Sequence, residues 1–166
     1  LVIADRKMIN PKMFNSFLDG TKSGIEMTAV CNATGLTPQA GGLRFPPASR
    51  FELAEVLKPA AAGGGVAHAG TTEVTSSLTR DGGPVDHHLA MGTFVVIHGD
   101  SDYVRQCFAE YHMLADNSGA YAALYRPTHM IGLELGRSGA SVALRGEPTG
   151  APSGFHSDVV ATANRQ

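Results

Sequence analysis

The first clear helical pattern lies in the N-terminal quarter of the chain. Apolar residues recur there at intervals that place them on one helical stripe: Ile25, Ala29, Val30 and Ala33. Ser23 and Glu26 have the spacing of a capping box, and Gly35 stands where a helix commonly ends. We therefore predict a helix over residues 23–34, which the chain enters through a turn at residues 19–22.

Two more amphipathic helices are predicted in the middle of the chain. Ser49 and Glu52 repeat the capping-box spacing ahead of a short apolar stripe, and Pro59 ends it. Asp100 or Ser101 is placed to cap a second helix. The apolar stripe of that helix consists of Val104, Cys107, Phe108 and Tyr111.

The two ends of the chain carry weaker patterns. The residues from Glu134 to Arg145 predict a helix that Gly146 and Pro148 close. Near the N-terminus, Asn10-Pro11 fits the start of a short helix, whereas the alternation that follows fits a strand equally well. The sequence leaves this choice open.

Three segments have the composition of β-strands. Residues 92–98 are rich in β-branched side chains between two glycines, residues 121–126 form a second apolar run, and residues 71–79 are rich in Thr, Ser and Val. The Ala- and Gly-rich tract at 60–65 predicts a flexible surface loop. Together these elements predict an α+β domain, with a mixed or antiparallel sheet covered by helices on one face.

The overall composition is that of one soluble domain. The chain has 166 residues, of which 43% are apolar and 17% charged, enough for a single hydrophobic core. A formal net charge of −2 lacks the clustered basic excess of nucleic-acid-binding proteins, so we expect no nucleic-acid partner. No apolar run approaches the length of about 18 residues that spans a bilayer, so we expect no membrane partner.

The cysteines and the first residue bear on compartment and completeness. Cys31 and Cys107 are too few for a secreted disulfide framework and fall on the apolar sides of predicted helices. We therefore expect reduced core thiols and a cytoplasmic protein. Because the chain begins at Leu1 rather than at a methionine, we expect it to be a piece of a longer protein.

Neither a dinucleotide site nor a metal site is predicted in this chain. A Gly-x-Gly-x-x-Gly fingerprint begun at Gly63 would have His68 in place of its third glycine. No cofactor-binding residue is therefore assigned. The triplet at 86–88, Asp-His-His, resembles part of a phosphoesterase metal site, but the other ligands that such a site needs are missing. A polar loop is favoured there, and no metal is expected.

Lys22 is the first candidate for chemistry. It follows Asp19 by three residues and precedes Glu26 by four, so an acid stands on either side of it. An ammonium at the mouth of a cleft can hydrogen-bond a substrate hydroxyl or carbonyl oxygen and assist the movement of a proton. The spacing by itself favours a solvated lysine that pairs weakly with Glu26.

Three other residues are candidates for binding an anion. Arg126 and His129 leave the end of one predicted strand, where a guanidinium and an imidazole could bind a carboxylate or phosphate. A structural Arg126 that satisfies backbone carbonyls fits the same pattern equally well. Arg44, in a glycine-rich loop, is the weaker candidate.

Several sequence blocks, taken together, resemble one enzyme family. The blocks are Asn10-Pro11-Lys12-Met13, Phe17-Leu18-Asp19-Gly20-Thr21-Lys22 with Ile25-Glu26-Met27, Asn32-Ala33-Thr34-Gly35-Leu36, Leu124-Tyr125-Arg126-Pro127-x-His129 and Gly146-Glu147-Pro148-Thr149-x-Ala151-Pro152. In order and spacing they resemble the homoserine-dehydrogenase-like NAD(P)-dependent oxidoreductases that carry a C-terminal SAF domain. That family includes deoxyxylulose phosphate reductoisomerase-like enzymes.

The resemblance implies that the cofactor and the substrate are bound mainly by different domains. A Rossmann domain that binds NAD or NADP and a SAF domain would lie outside this chain, and residues 1–166 would form one central domain for substrate and subunit contacts in a homo-oligomer. Lys22 becomes the leading catalytic candidate, oriented by Asp19 and Glu26. The resemblance also implies that Asn32 lines the cleft. Two residues would hold an anionic substrate, namely Arg126 and His129.

One departure from the family pattern keeps two functions open. Relatives carry a Lys-Met-Gly-Asp-Gly-Pro-like segment, whereas residues 112–119 here are longer and lack the lysine. The favoured hypothesis is an oxidoreductase acting on a small hydroxylated anionic metabolite, by homoserine-type dehydrogenation or by reductoisomerisation of a sugar phosphate. The alternative is a non-catalytic module for ligand binding or oligomerisation.

Overall fold

A computed structural model describes residues 10–129, 132–154 and 156–162 of this α+β domain. Its sheet has three antiparallel strands in the order β1-β3-β2, with β1 at Thr93–His98, β2 at Leu114–Ala115 and β3 at Tyr121–Arg126. Thr93 pairs with Arg126 at one end of β1. The antiparallel sheet and the strands predicted from 92–98 and 121–126 are confirmed.

Five α-helices occur within the described residues. They are α1 at Pro11–Leu18, α2 at Thr21–Thr34, α3 at Leu53–Leu57, α4 at Asp102–Glu110 and α5 at Leu135–Arg145. A short 3-10 helix at Ala60–Ala62 follows α3. The choice that the sequence left open near the N-terminus is settled in favour of a helix, because the Asn10 side chain accepts hydrogen bonds from the first backbone amides of α1.

The ends of the helices follow local capping chemistry in most places. Gly35 ends α2 in the left-handed conformation, with φ of 76°, and Ser101 caps α4 through its hydroxyl. The predicted start of α2 is wrong by two residues. The helix begins at Thr21 after Gly20, which also has a positive φ, of 79°, so Ser23 already lies inside the first turn.

The hydrophobic core lies between α3 and one face of the sheet. Leu53 is fully buried, and Leu57 and Ala123 of β3 belong to the same cluster. Phe94 and Tyr125 pair across β1 and β3 and pack against it from the sheet. The opposite face of the sheet is more exposed to solvent. Val95 and Leu124, which pair across β1 and β3 on that face, are each about half exposed. This is the expected result when helices cover one side of a sheet.

The prediction of a strand over 71–79 is wrong. This segment makes only single bridges, from Thr71 to Thr37 and from Ser76 to Pro47. Glu73, in the middle of the segment, is buried, and its carboxylate accepts hydrogen bonds from neighbouring loop amides. The Val74 amide, which lies inside the segment, also donates to this carboxylate, at 2.9 Å, and so is not free to join a strand ladder.

The prediction of a flexible loop over 60–65 is also wrong, because the tract has a defined backbone structure. It contains the 3-10 helix, and the Gly65 amide donates to the carbonyl of Val56 at 2.8 Å. A Cβ atom on Gly64 would lie only 1.9 Å from the Lys58 carbonyl oxygen. Gly64 is therefore required by a close backbone approach rather than by flexibility.

Two predicted apolar stripes face solvent in part. Tyr111, predicted on the stripe of α4, is 78% exposed, whereas Phe108 is buried. In α5 the apolar side chains Leu135, Val142 and Leu144 are all exposed. Within the described residues, no helix has both the length and the apolar character needed to cross a bilayer.

A buried ion cluster joins α3 to the β2–β3 hairpin. The ammonium of Lys58 lies 2.8 Å from Glu55 and 2.9 Å from Asp116. The Asp116 side chain is fully buried, and it also accepts hydrogen bonds from the Ser118 hydroxyl and the Tyr121 amide. The cluster fixes the end of α3 against the turn that precedes β3.

The hydrogen bonds decide the charge state of Asp116. Burial by itself raises the pKa of its carboxyl group. The bonds from Tyr121, Ser118 and Lys58 act in the opposite direction and outweigh burial, so the pKa is held well below its usual value. The pKa of Lys58 is raised by its bonds to Glu55 and Asp116. Both groups therefore remain charged at neutral pH.

Removing the buried carboxylate should destabilise the protein strongly. Asp116→Ala leaves the largely buried Lys58 ammonium without one of its two partners, and we expect the free energy of unfolding to fall by about 3 kcal/mol or more. Urea denaturation of the full-length protein measures the change. Asp102→Ala, which removes an exposed partner of Arg105, is the control and should cause a much smaller loss. Equal effects of the two variants would contradict a stabilising role for the cluster.

The same carboxylate predicts how stability depends on pH. Because the pKa of Asp116 is lower in the folded protein than its usual 3.8, its ionised form stabilises the fold above that value, and this contribution is lost as the pH falls through the folded pKa. Wild-type unfolding free energy should therefore fall more steeply below about pH 4 than that of Asp116→Asn. Urea titrations at stepped pH compare the two slopes, and identical slopes would refute the assignment.

Candidate functional site

Lys22 lies in the first turn of α2 and pairs with Glu26 one turn later. Its ammonium is hydrogen-bonded to the Glu26 carboxylate and lies 5.5 Å from the centroid of the Phe17 ring in α1. The Lys22 side chain is 29% exposed and that of Glu26 is 47% exposed, so both remain accessible to a small molecule. The pair places a proton donor and an acceptor side by side on one helix face.

Asp19 acts on the start of α2. Its carboxylate accepts a hydrogen bond from the Thr21 amide at 2.9 Å. Hydrogen bonds from the Thr21 side chain and backbone lower the pKa of Asp19, which is therefore ionised at neutral pH. A Cβ atom on Gly20 would lie 3.1 Å from the Phe45 ring, so the turn before Lys22 is closely packed. Asp19 thus fixes the backbone that carries Lys22, while Glu26 bonds its ammonium.

Asn32 lies at the other end of α2, where its amide bonds to a distant part of the chain. The amide nitrogen donates to the carbonyls of Val159, at 2.9 Å, and Thr28, at 3.0 Å. The amide oxygen accepts from the amides of Asp158, at 2.8 Å, and Val159, at 3.0 Å. All four hydrogen-bonding positions of this side chain are used. With a rise of about 1.5 Å per residue, Asn32 stands about 15 Å along the helix from Lys22.

Arg126 and His129 lie at and just beyond the end of β3. The Arg126 guanidinium is paired with Glu134, the residue before α5, and its hydrogen bond lowers the pKa of that carboxyl group. Both side chains are more than half exposed. The Nδ1 of His129 lies 2.8 Å from the Met91 carbonyl oxygen, so in the neutral ring Nε2 is the free acceptor. These contacts leave the outer edge of the guanidinium facing solvent.

Arg44 lies in a loop that the buried Glu73 organises. The Glu73 carboxylate accepts from the backbone amides of Arg44 at 3.0 Å and Phe45 at 3.2 Å. It also accepts from the side chain of Gln39 at 2.7 Å, and the Gln39 oxygen in turn accepts from the Ala67 amide. Arg44 itself is exposed. Glu73 is the residue that fixes this loop. The role of Glu73 was not predicted from the sequence, because an isolated glutamate in a Thr- and Val-rich segment is typical of the solvent-facing side of a strand.

The candidate residues form two separate groups. Lys22 and Glu26 belong to the helical pair α1–α2, whereas Arg126 and His129 belong to the end of the sheet. Within residues 10–129, 132–154 and 156–162, no hydrogen bond or ion pair links one group to the other. The joint site that the sequence suggests stays a prediction.

A polar groove along α5 lies next to Arg126. Its lining is Glu134, Arg137, Ser138, Arg145, Pro148 and Thr149. The hydroxyls of Ser138 and Thr149 lie 3.0 Å apart and hold the segment after α5 against the helix. Sequence reasoning missed Arg137 and Arg145, which both line the groove. Arg126 is paired with Glu134, which lines the groove as well.

The structure also bears on the metal and cofactor motifs. Among the described residues, no group of three or more His, Cys, Asp or Glu side chains is placed to hold a metal ion. The glycine tract does not form a phosphate loop either, because the amides of Gly63, Gly64 and Gly65 all donate to carbonyl oxygens of the chain. A pyrophosphate would need such amides as free donors.

Comparison with known proteins identifies the family. Residues 2–135 match the family model described as oxidoreductase DRL, catalytic domain. The match takes in Lys22, Arg126 and His129. A comparison with curated proteins gives no match. Because the matched range covers most of the chain, the chain belongs to the family of oxidoreductase DRL catalytic domains.

Proposed function

We propose that this chain is the substrate-binding and catalytic domain of an NAD(P)-dependent oxidoreductase that acts on a small hydroxylated anionic metabolite. The observation that carries the proposal is the Lys22–Glu26 pair, accessible at the start of α2 and inside the range that matches an oxidoreductase catalytic domain. A buried or fully solvated lysine would not support the same conclusion.

Lys22 acts on the oxygen of the reacting carbon. Its ammonium donates a hydrogen bond to a carbonyl oxygen, stabilises the negative charge that develops there during reduction and passes a proton to that oxygen; in the reverse direction the neutral amine of Lys22 accepts the hydroxyl proton. Glu26 accepts a hydrogen bond from Nζ, which orients the ammonium. Its carboxylate is also a group to which Lys22 can pass a proton. The Phe17 ring lies over the same ammonium and limits its movement.

The hydride is carried by a cofactor and not by a side chain of this domain. A nicotinamide cofactor, when bound, provides or accepts the hydride at the reacting carbon. The glycine tract does not fit its pyrophosphate, since the amides of Gly63, Gly64 and Gly65 already donate to carbonyl oxygens of the chain. We therefore propose that a separate Rossmann domain holds NAD or NADP, and that the residues of this chain bind and polarise the substrate.

The anionic end of the substrate is assigned to the end of β3. Arg126 and His129 supply a guanidinium and an imidazole there, and the groove along α5 adds Arg137 and Arg145. A planar guanidinium binds either a carboxylate or a phosphate through paired hydrogen bonds. The two rival substrates, a homoserine-type amino acid and a sugar phosphate, therefore remain to be separated by experiment.

The decisive experiment follows the cofactor in the full-length protein. The absorbance of NADH and NADPH is recorded with homoserine, deoxyxylulose phosphate and a panel of four- and five-carbon hydroxy acids, with the isolated chain as control. Turnover by the full-length protein on one of these substrates supports the proposal and selects between the rivals. Cofactor binding with no turnover on any of them would favour the non-catalytic binding module instead.

Replacing the proposed catalytic ammonium should remove activity while the fold survives. We expect Lys22→Met to lower kcat by about 100-fold or more, because the hydrogen bond to the developing oxyanion is lost. Steady-state kinetics of the full-length protein measure the effect, and circular dichroism verifies the fold. Lys12→Met, which removes an exposed lysine of α1, is the matched control and should retain wild-type kcat. An unchanged kcat in Lys22→Met would exclude the role.

Replacing the proposed substrate-binding guanidinium should affect binding more than chemistry. We expect Arg126→Gln to raise KM for the anionic substrate by about tenfold or more, with a smaller change in kcat. Arg80→Gln, whose guanidinium bonds the Arg44 carbonyl on another part of the surface, should leave KM close to that of wild type. A KM that is equally raised in both variants would point to general loss of surface charge rather than to a site.

A further inference from the structure

Arg50 has an environment unlike that of the paired arginines of this domain. Its Nε atom is buried and has no hydrogen-bond partner, the only such side-chain nitrogen or oxygen among the described residues. The arginines Arg80, Arg105 and Arg126 each donate to an oxygen of the chain. Within residues 10–129, 132–154 and 156–162, the guanidinium of Arg50 makes no hydrogen bond or ion pair.

Two aromatic rings hold the Arg50 guanidinium in place. Its carbon Cζ lies 4.9 Å from the centroid of the Phe51 ring and 5.7 Å from that of Tyr125. Rings at these distances stack on a guanidinium and restrain its plane, but they cannot accept its in-plane hydrogen bonds. The aromatic contacts therefore fix the group and leave its two terminal nitrogens for an oxygen acceptor.

The backbone around Arg50 is anchored on a second side. The Arg50 amide donates to the His87 carbonyl at 3.0 Å, and the His87 ring meets that of Phe51 edge-on at 5.3 Å. Tyr125 is the neighbour of Arg126 in β3, and successive strand residues project from opposite faces of a sheet. Arg50 thus stands at the same end of β3 as the proposed substrate site, on the side toward Tyr125.

We infer that Arg50 is the centre of an oxyanion-binding site that takes the phosphate or carboxylate group of a small metabolite. Nε is covered, so an anion reaches the guanidinium at its two terminal nitrogens, where two oxygens of one anion can be bound in the planar fork. Preorganisation by Phe51 and Tyr125 lowers the ordering cost of that contact. The site is additional to the one proposed around Lys22 and Arg126, and does not depend on it.

The test isolates Arg50 from the other candidate anion site. Isothermal titration calorimetry is carried out at low ionic strength on the full-length protein carrying Arg126→Gln, with inorganic phosphate in one arm and succinate in the other. Adding Arg50→Gln should weaken binding of the preferred anion by about tenfold or more. Arg50→Lys, which keeps the charge but not the planar fork, should also weaken it. Adding Arg105→Gln instead should leave the affinity close to that of the Arg126→Gln protein.

The outcomes of the two arms are distinct. Arg50-dependent binding of phosphate alone identifies a phosphate site, that of succinate alone a carboxylate site, and that of both a general oxyanion site. Binding that is the same with and without Arg50, or no binding in either arm, would overturn the inference. If Arg50→Gln fails to fold, the same comparison is made with Arg50→Lys, by the rise in Tm that each anion produces.

Discussion

The buried bond between Lys58 and Asp116 is the interaction on which the arrangement of this domain depends. It joins residues 58 positions apart and lies where α3 meets the β2–β3 hairpin. A buried ion pair is a poor source of net stability, since both charges lose their hydration, but it is highly specific about geometry. In this domain it fixes α3 over the sheet face that carries Ala123 and Tyr125. It lies at the Tyr121 end of β3, opposite the end that bears Arg126.

Local signals in the sequence were sufficient where an element is determined by its own residues. The strand at 92–98, the caps at Ser101 and Gly35 and the helix that begins at Leu135 all follow from short-range pattern and backbone chemistry. The start of α2 was misplaced because Gly20, rather than Ser23, is the residue that caps the helix. A positive φ at a glycine competes with a capping box, and the sequence does not reveal which one is used.

Long-range contacts account for what could not be predicted. The Glu73 carboxylate accepts a hydrogen bond from Gln39, which is 34 residues away. This contact holds the segment as irregular backbone where the sequence predicted a strand. The sequence did not predict a role for Arg50, because the environment of its side chain depends on Tyr125 in β3. For the candidate site, the Lys22–Glu26 pair and Arg126 were visible from the sequence, whereas Arg137 and Arg145 in the groove on α5 required the fold. The amide of Asn32, proposed from the resemblance to line a cleft, has all four of its hydrogen bonds inside the domain.

Those four bonds have a mechanical consequence. The Asn32 amide ties the last turn of α2 to the backbone of Asp158 and Val159, while the first turn of the same helix carries Lys22. An α-helix of this length is stiff along its axis. A displacement of the backbone at Val159 would therefore move α2 as a rigid body. It would shift the Lys22 ammonium at the N-terminal end of the helix. The segment around Val159 and Lys22 are thus joined by one helix, so the position of one constrains that of the other.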